Sequence, residues 1–120
     1  MLSFLNIVER MSALENAGFP NGTYDIRTFD PVTYSAGYQV TFCQIGDNYG
    51  ENEFMWHVAR FVALSDDAGI SAGVYGNAEI SFHIADKGVA VALAHAYNQI
   101  SVWDWANGCE ILTGGTGKRN

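Results

Sequence analysis

The order of helix-like and strand-like segments is the feature that most restricts how this chain folds. Apolar residues recur at helical spacing in residues 3–17, 51–64 and 87–97. Alternating or β-branched segments, which are typical of strands, fall in pairs at 23–29 and 38–45, 70–75 and 78–84, and 100–105 and 109–112. Paired strands joined by helices predict an α+β domain, in which about six strands in hairpins form an antiparallel or mixed sheet with three helices mainly on one face.

Turn and cap residues support these boundaries. Asn107-Gly108 predicts a tight turn before the last strand, since Asn and Gly adopt a positive φ at little cost, and Gly76-Asn77 predicts the turn of the middle hairpin. Asp86 is expected to cap the third helix and Asn98 to end it. The stripes expected to face the core are Phe4, Val8, Met11 and Leu14, then Phe54, Val58, Phe61 and Val62, then Val89, Ala92, Leu93, Ala96 and Tyr97.

Length and composition predict one folded domain followed by a tail. With 120 residues, of which 48% are hydrophobic and 16% charged, the chain is long enough to bury a core and too apolar to be disordered. Because residues 113–120 contain no apolar side chain, we expect a single domain over residues 1–112 and a flexible tail beyond it. The two cysteines, Cys43 and Cys109, are too few for a disulfide scaffold and are expected as buried free thiols.

The charge balance favours some partners over others. Thirteen acidic residues against six basic ones give a net charge of −7, and Lys118 and Arg119 lie within the last three residues. Residues 1–117 therefore carry four bases against thirteen acids, a charge of −9. Such a body repels phosphate, so we expect no direct binding to nucleic acid or to an anionic membrane. A basic protein surface is the natural electrostatic partner, although an acidic composition also serves plain solubility.

The sequence carries no recognisable pattern for catalysis or metal binding. His57, His83 and His95 are scattered, and none belongs to a known metal-ligand or nucleophile motif. We therefore predict no enzyme activity, no metal and no cofactor. Trp103 and Trp105 alternate along one strand and so share one of its faces, where they serve either as core residues or as exposed anchors for a partner.

The C-terminal part of the chain carries a resemblance. Residues 97–105 (YNQISVWDW) and 110–117 (EILTGGTG) resemble the ends of small accessory proteins of bacteriophages and mobile elements. That setting includes anti-restriction and anti-CRISPR inhibitors, which are often small, acidic and without catalytic residues. The resemblance implies a similar inhibitor, but it assigns no role to any individual residue.

Charge and resemblance together predict an inhibitor that binds a host defence nucleic-acid-binding complex, CRISPR or restriction, in the cytoplasm of a bacterial host. Its partner would be a basic protein surface, such as that of a defence nuclease. The residues expected to bind it are Asp47, Tyr49, Glu51, Glu53, Asp66 and Asp67 around the second helix, with Trp103 and Trp105 as anchors.

Two alternatives belong to other classes. One is a small-molecule-binding domain or enzyme with a pocket at the sheet edge. Its residues would be His83, His95, Asn98, Gln99 and Cys43. The other is a structural accessory protein of a phage or mobile element, which forms homo-oligomers through exposed tryptophans and a free strand edge.

Overall fold

Each segment with a helix or strand signal forms the element that it predicts. The computed structural model describes residues 2–44, 49–66 and 69–118, and within them it has three helices and a six-stranded antiparallel sheet, an α+β fold. The elements are α1 (Phe4–Asn16), β1 (Gly22–Asp25), β2 (Tyr38–Gln44), α2 (Glu51–Leu64), β3 (Ser71–Tyr75), β4 (Asn77–Ile84), α3 (Lys87–Ala96), β5 (Ser101–Asp104) and β6 (Cys109–Leu112).

The sheet has the order β1-β3-β4-β2-β5-β6, and each neighbouring pair is antiparallel. The central strands β2 and β4 pair from Tyr38 opposite Ile84 to Gln44 opposite Glu79. The hairpins β3–β4 and β5–β6 flank this centre, and β1 pairs with β3 at the far edge. The sequence left open an antiparallel or a mixed sheet, and the structure is antiparallel.

One join in the sheet is short. β2 and β5 pair at two positions, Tyr38 opposite Asp104 and Gln39 opposite Trp103. Among the described residues, no register pair joins the two strands beyond Gln39. Farther along β2, the Gln99 side chain contacts the strand, because its Nε2 donates a hydrogen bond to the Phe42 carbonyl at 3.3 Å. The chain entering β5 is thus linked to β2 at this point by a side-chain hydrogen bond rather than by backbone pairing.

The strands separate an apolar face from a polar one. In β4, Ile80, Phe82 and Ile84 are buried beneath the helices, whereas Ser81 and His83 lie on the other side, as the alternation predicts. α2 packs there through Phe61, whose ring stacks on Phe82 with centroids 4.9 Å apart. α1 packs on β3 and β4, and α3 on β2, β4 and β5. The face of the sheet opposite the three helices is called the open face below.

Two of the predicted core stripes are wrong by about one residue. The fully or nearly fully buried residues are Ile7, Met11 and Leu14 in α1, Phe54, Val58 and Phe61 in α2, and Ala90, Leu93 and Ala94 in α3. The prediction for α2 is confirmed, apart from the half-buried Val62. In α1 the prediction omitted Ile7. In α3 it included Val89, Ala92 and Ala96, which are exposed, and it omitted the buried Ala90 and Ala94. Seven of the ten residues of α3 are Val, Ala or Leu and they lie on every side of the helix, so spacing alone did not select the side that meets the sheet.

Residues 26–37 form a strap, which begins beside α1, where Arg10 donates to the Ile26 and Arg27 carbonyls, and crosses part of the open face from Pro31 onward. The strand predicted over 23–29 ends at Asp25, whose Oδ1 accepts hydrogen bonds from the backbone N–H groups of Arg27 and Thr28 and so turns the chain. The strap then reaches His83 of β4. The Tyr34 ring stacks on the His83 ring at 3.8 Å, and His83 Nε2 lies 2.7 Å from the Ala36 carbonyl oxygen.

The last described residues run back along the chain entering β5. Thr113 N–H donates to the Ile100 carbonyl, and Gly117 N–H donates to the Asn98 carbonyl, so residues 113–118 lie against residues 98–100. Cys43 is buried, as expected. The expectation of a buried thiol is wrong for Cys109, which is exposed because β6 is an edge strand.

Candidate functional site

A cleft of about 390 Å³ opens on the open face, where β2 and β5 diverge. It runs across all six strands, from β1 at one edge to β6 at the other. Its lining combines hydroxyl, carboxamide and carboxylate groups with two large aromatic rings. The lining residues are Thr23, Gln39, Thr41, Gln44, Gly73, Tyr75, Glu79, Ser81, Gln99, Ile100, Ser101, Trp103, Glu110 and Gly117.

The floor of the cleft is made of buried amides held in fixed orientations. Gln39 donates from Nε2 to Ser81 Oγ at 2.9 Å, and its Oε1 accepts from Trp105 Nε1 at 3.2 Å. Gln99, which is 8% exposed, donates to the Phe42 carbonyl, while its own Oε1 accepts no hydrogen bond from another described residue. Pre-oriented amides of this kind offer a ligand both donors and acceptors.

Aromatic rings form the rim. Tyr75 is 66% exposed and Trp103 is 39% exposed, and both line the cleft. A second hollow adjoins it and shares Thr23, Tyr75 and Trp103 with it. Trp105 lines that second hollow beneath the strap, with its ring edge-on to Tyr34 at 5.6 Å. Of the two roles left open for the tryptophans, an exposed position is therefore found for Trp103, while Trp105 is partly covered by the strap.

The charge of the cleft is negative. Glu79 and Glu110 are among its lining residues, and Glu79 Oε1 accepts a hydrogen bond from Gln44 Nε2 at 3.3 Å. No Lys, Arg or His side chain is found among the described lining residues. Two carboxylates with no basic side chain among the described lining residues favour a cationic or hydrogen-bond-donating ligand and disfavour phosphate.

The acidic residues predicted around α2 lie elsewhere. Glu51 and Glu53 are exposed in the first turn of the helix, on the helical layer rather than on the open face. Asp66 follows the other end, about 20 Å away for a helix of this length, and its Oδ1 lies 2.7 Å from His83 Nδ1. Asp47 and Asp67 lie outside the described residues. The length of α2 thus separates Glu51 and Glu53 from Asp66.

Tyr49 belongs to an aromatic cluster on the helical side of the sheet. Its ring lies 5.2 Å from the Phe42 ring and 5.2 Å from the His57 ring, and His57 Nδ1 is hydrogen-bonded to the Tyr97 hydroxyl. Burial lowers the pKa of His57; the Arg60 charge lowers it further, and the Glu53 charge raises it. This cluster lies across the sheet from Trp103.

The residues of the predicted small-molecule pocket do not come together either. Gln99 alone lines the cleft, whereas His83 is covered by the strap and Cys43 is buried on β2. His95 bonds to the Thr113 carbonyl, and Asn98 bonds to Thr116 and to the Lys118 carbonyl. Over the described ranges, no group of three or more His, Cys, Asp and Glu side chains is placed to hold a metal ion.

Sequence reasoning missed most of the cleft. Trp103 was a candidate anchor and Gln99 a candidate pocket residue, but Gln39, Tyr75, Glu79 and Glu110 were not predicted as site residues. The available signal was the alternation itself, because each of these residues lies opposite the apolar positions of its strand. What alternation does not give is the order of the strands, which brings these positions together.

Comparison with known proteins gives no match to a family model, to a curated protein or to a solved structure. In the part of the chain that the structure describes, every helix is too short or too polar to cross a membrane. The geometry and charge of the open face therefore carry the functional argument.

Proposed function

We propose that this protein acts by binding a basic surface of another protein with its open face, and that the partner is a host nucleic-acid-binding defence complex of the CRISPR or restriction type. The observation that carries the proposal is the cleft itself, in which exposed Trp103 and Tyr75 stand beside the carboxylates of Glu79 and Glu110. Aromatic residues of this kind are enriched among the residues that dominate binding energy at protein interfaces.

Charge supports the same kind of partner. A net charge of −7 on 120 residues attracts a basic surface over a distance of about 10 Å at ordinary salt, and the cleft adds two carboxylates at the point of contact. Surfaces that bind nucleic acid are basic because they neutralise phosphates. A protein that occupies such a surface competes with nucleic acid and needs no catalytic group.

The open face replaces the α2 carboxylates as the proposed contact surface. Glu51 and Glu53 are exposed side chains in one helical turn, and isolated exposed charges contribute little to binding. The cleft instead combines shape, fixed amides and aromatic area, which is how an interface gains affinity beyond general electrostatic attraction.

The proposal is tested by expressing the protein in bacterial strains that carry defined CRISPR or restriction systems and measuring the transformation efficiency of a targeted plasmid. We expect the wild-type protein to restore transformation against at least one system, and Trp103→Ala to lose most of that effect. Trp56→Ala is the matched control, because Trp56 is an exposed tryptophan on α2, across the sheet from the cleft.

Two results would contradict the proposal in different ways. If no system in the panel is inhibited, the defence-inhibitor role fails. If inhibition is found but Trp56→Ala removes it and Trp103→Ala does not, the partner binds the helical layer and the open face is the wrong surface. Purified partner should also be released as salt is raised, because the attraction is electrostatic.

A further inference from the structure

We propose that the cleft receives an arginine side chain of the partner, with the guanidinium stacked on Trp103 and paired with the carboxylate of Glu110. This inference rests on the proposed function, since it names the chemical group that the open face recognises. The juxtaposition that carries it is an exposed indole beside an unblocked carboxylate, above a buried amide.

The register of β5 and β6 puts these groups side by side. Trp103 pairs with Glu110, so their side chains emerge on the same face with Cβ atoms about 5 Å apart. On the other side of Trp103, the paired residue is Gln39 of β2. A planar cation lying on the indole would therefore have a carboxylate at one edge and a fixed amide at the other.

A second acidic position lies deeper in the cleft. Glu79 of β4 faces Gly73 of β3 and Gln44 of β2 in the register. Gly73 has no side chain, which leaves space beside Glu79, and the Tyr75 ring bounds that space, 3.5 Å from where a Cβ on Gly73 would stand. Glu79 accepts one hydrogen bond from Gln44 through Oε1, so its other oxygen remains for a ligand.

The unpaired acceptor of Gln99 points to the same ligand chemistry. Gln99 is nine-tenths buried and lines the cleft, and its Oε1 accepts no hydrogen bond from another described residue. Because no fully buried side-chain oxygen among the described residues lacks a partner, this Oε1 is accessible from the cleft. With the carboxylates of Glu79 and Glu110, the cleft presents acceptors that are not saturated by the protein. A guanidinium carries five N–H donors in one plane and no acceptor, and it matches such a set.

Arginine fits this site better than lysine does. A guanidinium stacks on an aromatic face and pairs with a carboxylate in the same plane, whereas an ammonium is a compact, strongly hydrated charge. Phosphate is disfavoured by the two carboxylates, since no basic side chain is found among the described residues that line the cleft. A neutral saccharide would use the aromatic rings and amides but not the charge, and it is the competing outcome of the test.

The test is a titration of the isotope-labelled protein followed by NMR, with probes of matched length. The probes are an acetylated, amidated Gly-Arg-Gly-Arg-Gly peptide, its lysine and citrulline analogues, and a neutral oligosaccharide series. We expect saturable shifts at the Trp103 indole and at the Gln39 and Gln99 amides with the arginine peptide. Binding should be at least about tenfold weaker with lysine and at least about tenfold weaker again with citrulline.

Variants separate this site from general attraction between opposite charges. Glu110→Gln should weaken arginine binding at least about fivefold while leaving the amide spectrum of the fold unchanged, because Glu110 is exposed on an edge strand. Glu53→Gln removes the same charge on the helical layer and should leave the affinity unchanged. Equal losses from both variants would show that net charge alone drives binding, and would overturn the arginine site.

The remaining outcomes are also decisive. Equal affinity for the arginine and lysine peptides, shifts confined to α2, or saccharide binding at Trp103 with no arginine binding would each overturn this inference. If the peptides do not bind while Trp103→Ala still abolishes defence inhibition, the arginine site fails and the proposed function stands. If the arginine peptide binds but no defence system is inhibited, the function fails and the site stands.

Discussion

The two faces of the sheet are formed by the same strands but have different roles. On the helix side, Phe82 and Val40 are completely buried, and Val102 is nearly so. One residue along each strand, Ser81, Gln39 and Trp103 face the cleft. The first face stabilises the fold by removing apolar surface from water. The second leaves acceptors and aromatic rings within reach of a ligand.

The open face shows how polar side chains are accommodated on a sheet surface that is mostly buried. Among the described residues, no fully buried side-chain nitrogen or oxygen atom lacks a hydrogen-bond partner. Gln39, for example, is fixed by Ser81 and Trp105, so its burial does not leave a polar atom unpaired. The open face therefore remains polar and ordered together, a combination that suits recognition.

The largest difference in stability between the two faces is expected when neighbouring residues of β4 are replaced. Phe82→Ala removes a fully buried ring that stacks on Phe61, and should lower the free energy of unfolding by about 3–5 kcal/mol. Ser81→Ala, on the other face, removes one hydrogen bond to Gln39 and should cost about 1 kcal/mol. Urea unfolding of both variants measures the difference, and similar losses would erase the distinction between the faces.

The next largest effect on stability is expected from a substitution in the strap. Gly37 has φ +83°, and a Cβ there would lie 2.3 Å from His83 Nε2. Gly37→Ala should therefore cost about 2 kcal/mol or more, from the left-handed backbone and from the displaced His83 contact. Gly76→Ala is the control, since Gly76 has φ +86° and nothing lies within 4 Å of the added Cβ.

The difference between these two variants in thermal unfolding isolates the contact of the strap with His83. If Gly37→Ala costs no more than Gly76→Ala, the strap is not held by His83. The open face would then be wider than the cleft described above, because the part of the strap from Pro31 onward would leave it readily.

Much of the fold followed from local patterns. Asp86 caps the start of α3, because its side chain accepts a hydrogen bond from Val89 N–H at 2.8 Å. Asn98, which follows the end of α3, adopts the left-handed conformation with φ 57°. The turn at Asn107-Gly108 is also present, with the positive φ on Gly108 alone. These features depend on a few consecutive residues, so the sequence was sufficient to predict them.

The candidate site depended on long-range contacts, which local patterns do not reveal. Glu51 and Asp66 were grouped because they flank one helix, but the length of α2 separates them. Glu79 and Glu110 lie far apart in the sequence and line one cleft, because β4 and β6 belong to one sheet whose order the sequence did not give. The short pairing of β2 with β5, which opens the cleft, had no local signal.

A smaller effect on stability is expected when the pH is lowered, and it arises on the helical side of the sheet. Burial lowers the pKa of His57 from 6.5, so the folded state favours the neutral ring more strongly than the unfolded chain does. The stabilisation is therefore present above about pH 6.5 and is lost as the pH falls through the lowered value. Thermal melts of wild type between about pH 7.5 and about pH 5 should show this loss.

His57→Asn should reduce that pH-dependent loss, while His95→Asn, which changes an exposed histidine, should leave it in place. Because the aromatic cluster lies across the sheet from the cleft, the His57 variant should also bind the arginine peptide with unchanged affinity at neutral pH. A binding change of the same size as that of Glu110→Gln would show that the two faces are coupled.

The smallest stability effect is expected where binding matters most. Tyr75 is 66% exposed, so Tyr75→Ala should change the free energy of unfolding by no more than about 0.5 kcal/mol, yet it should weaken ligand binding in the cleft. Tyr24→Ala is the contrast, because that ring is 6% exposed and its hydroxyl donates to the Pro20 carbonyl at 2.6 Å. If Tyr75→Ala lowers the free energy of unfolding as much as Tyr24→Ala does, the aromatic rim is part of the core. If Tyr75→Ala changes neither stability nor binding, the cleft does not explain why this ring is exposed.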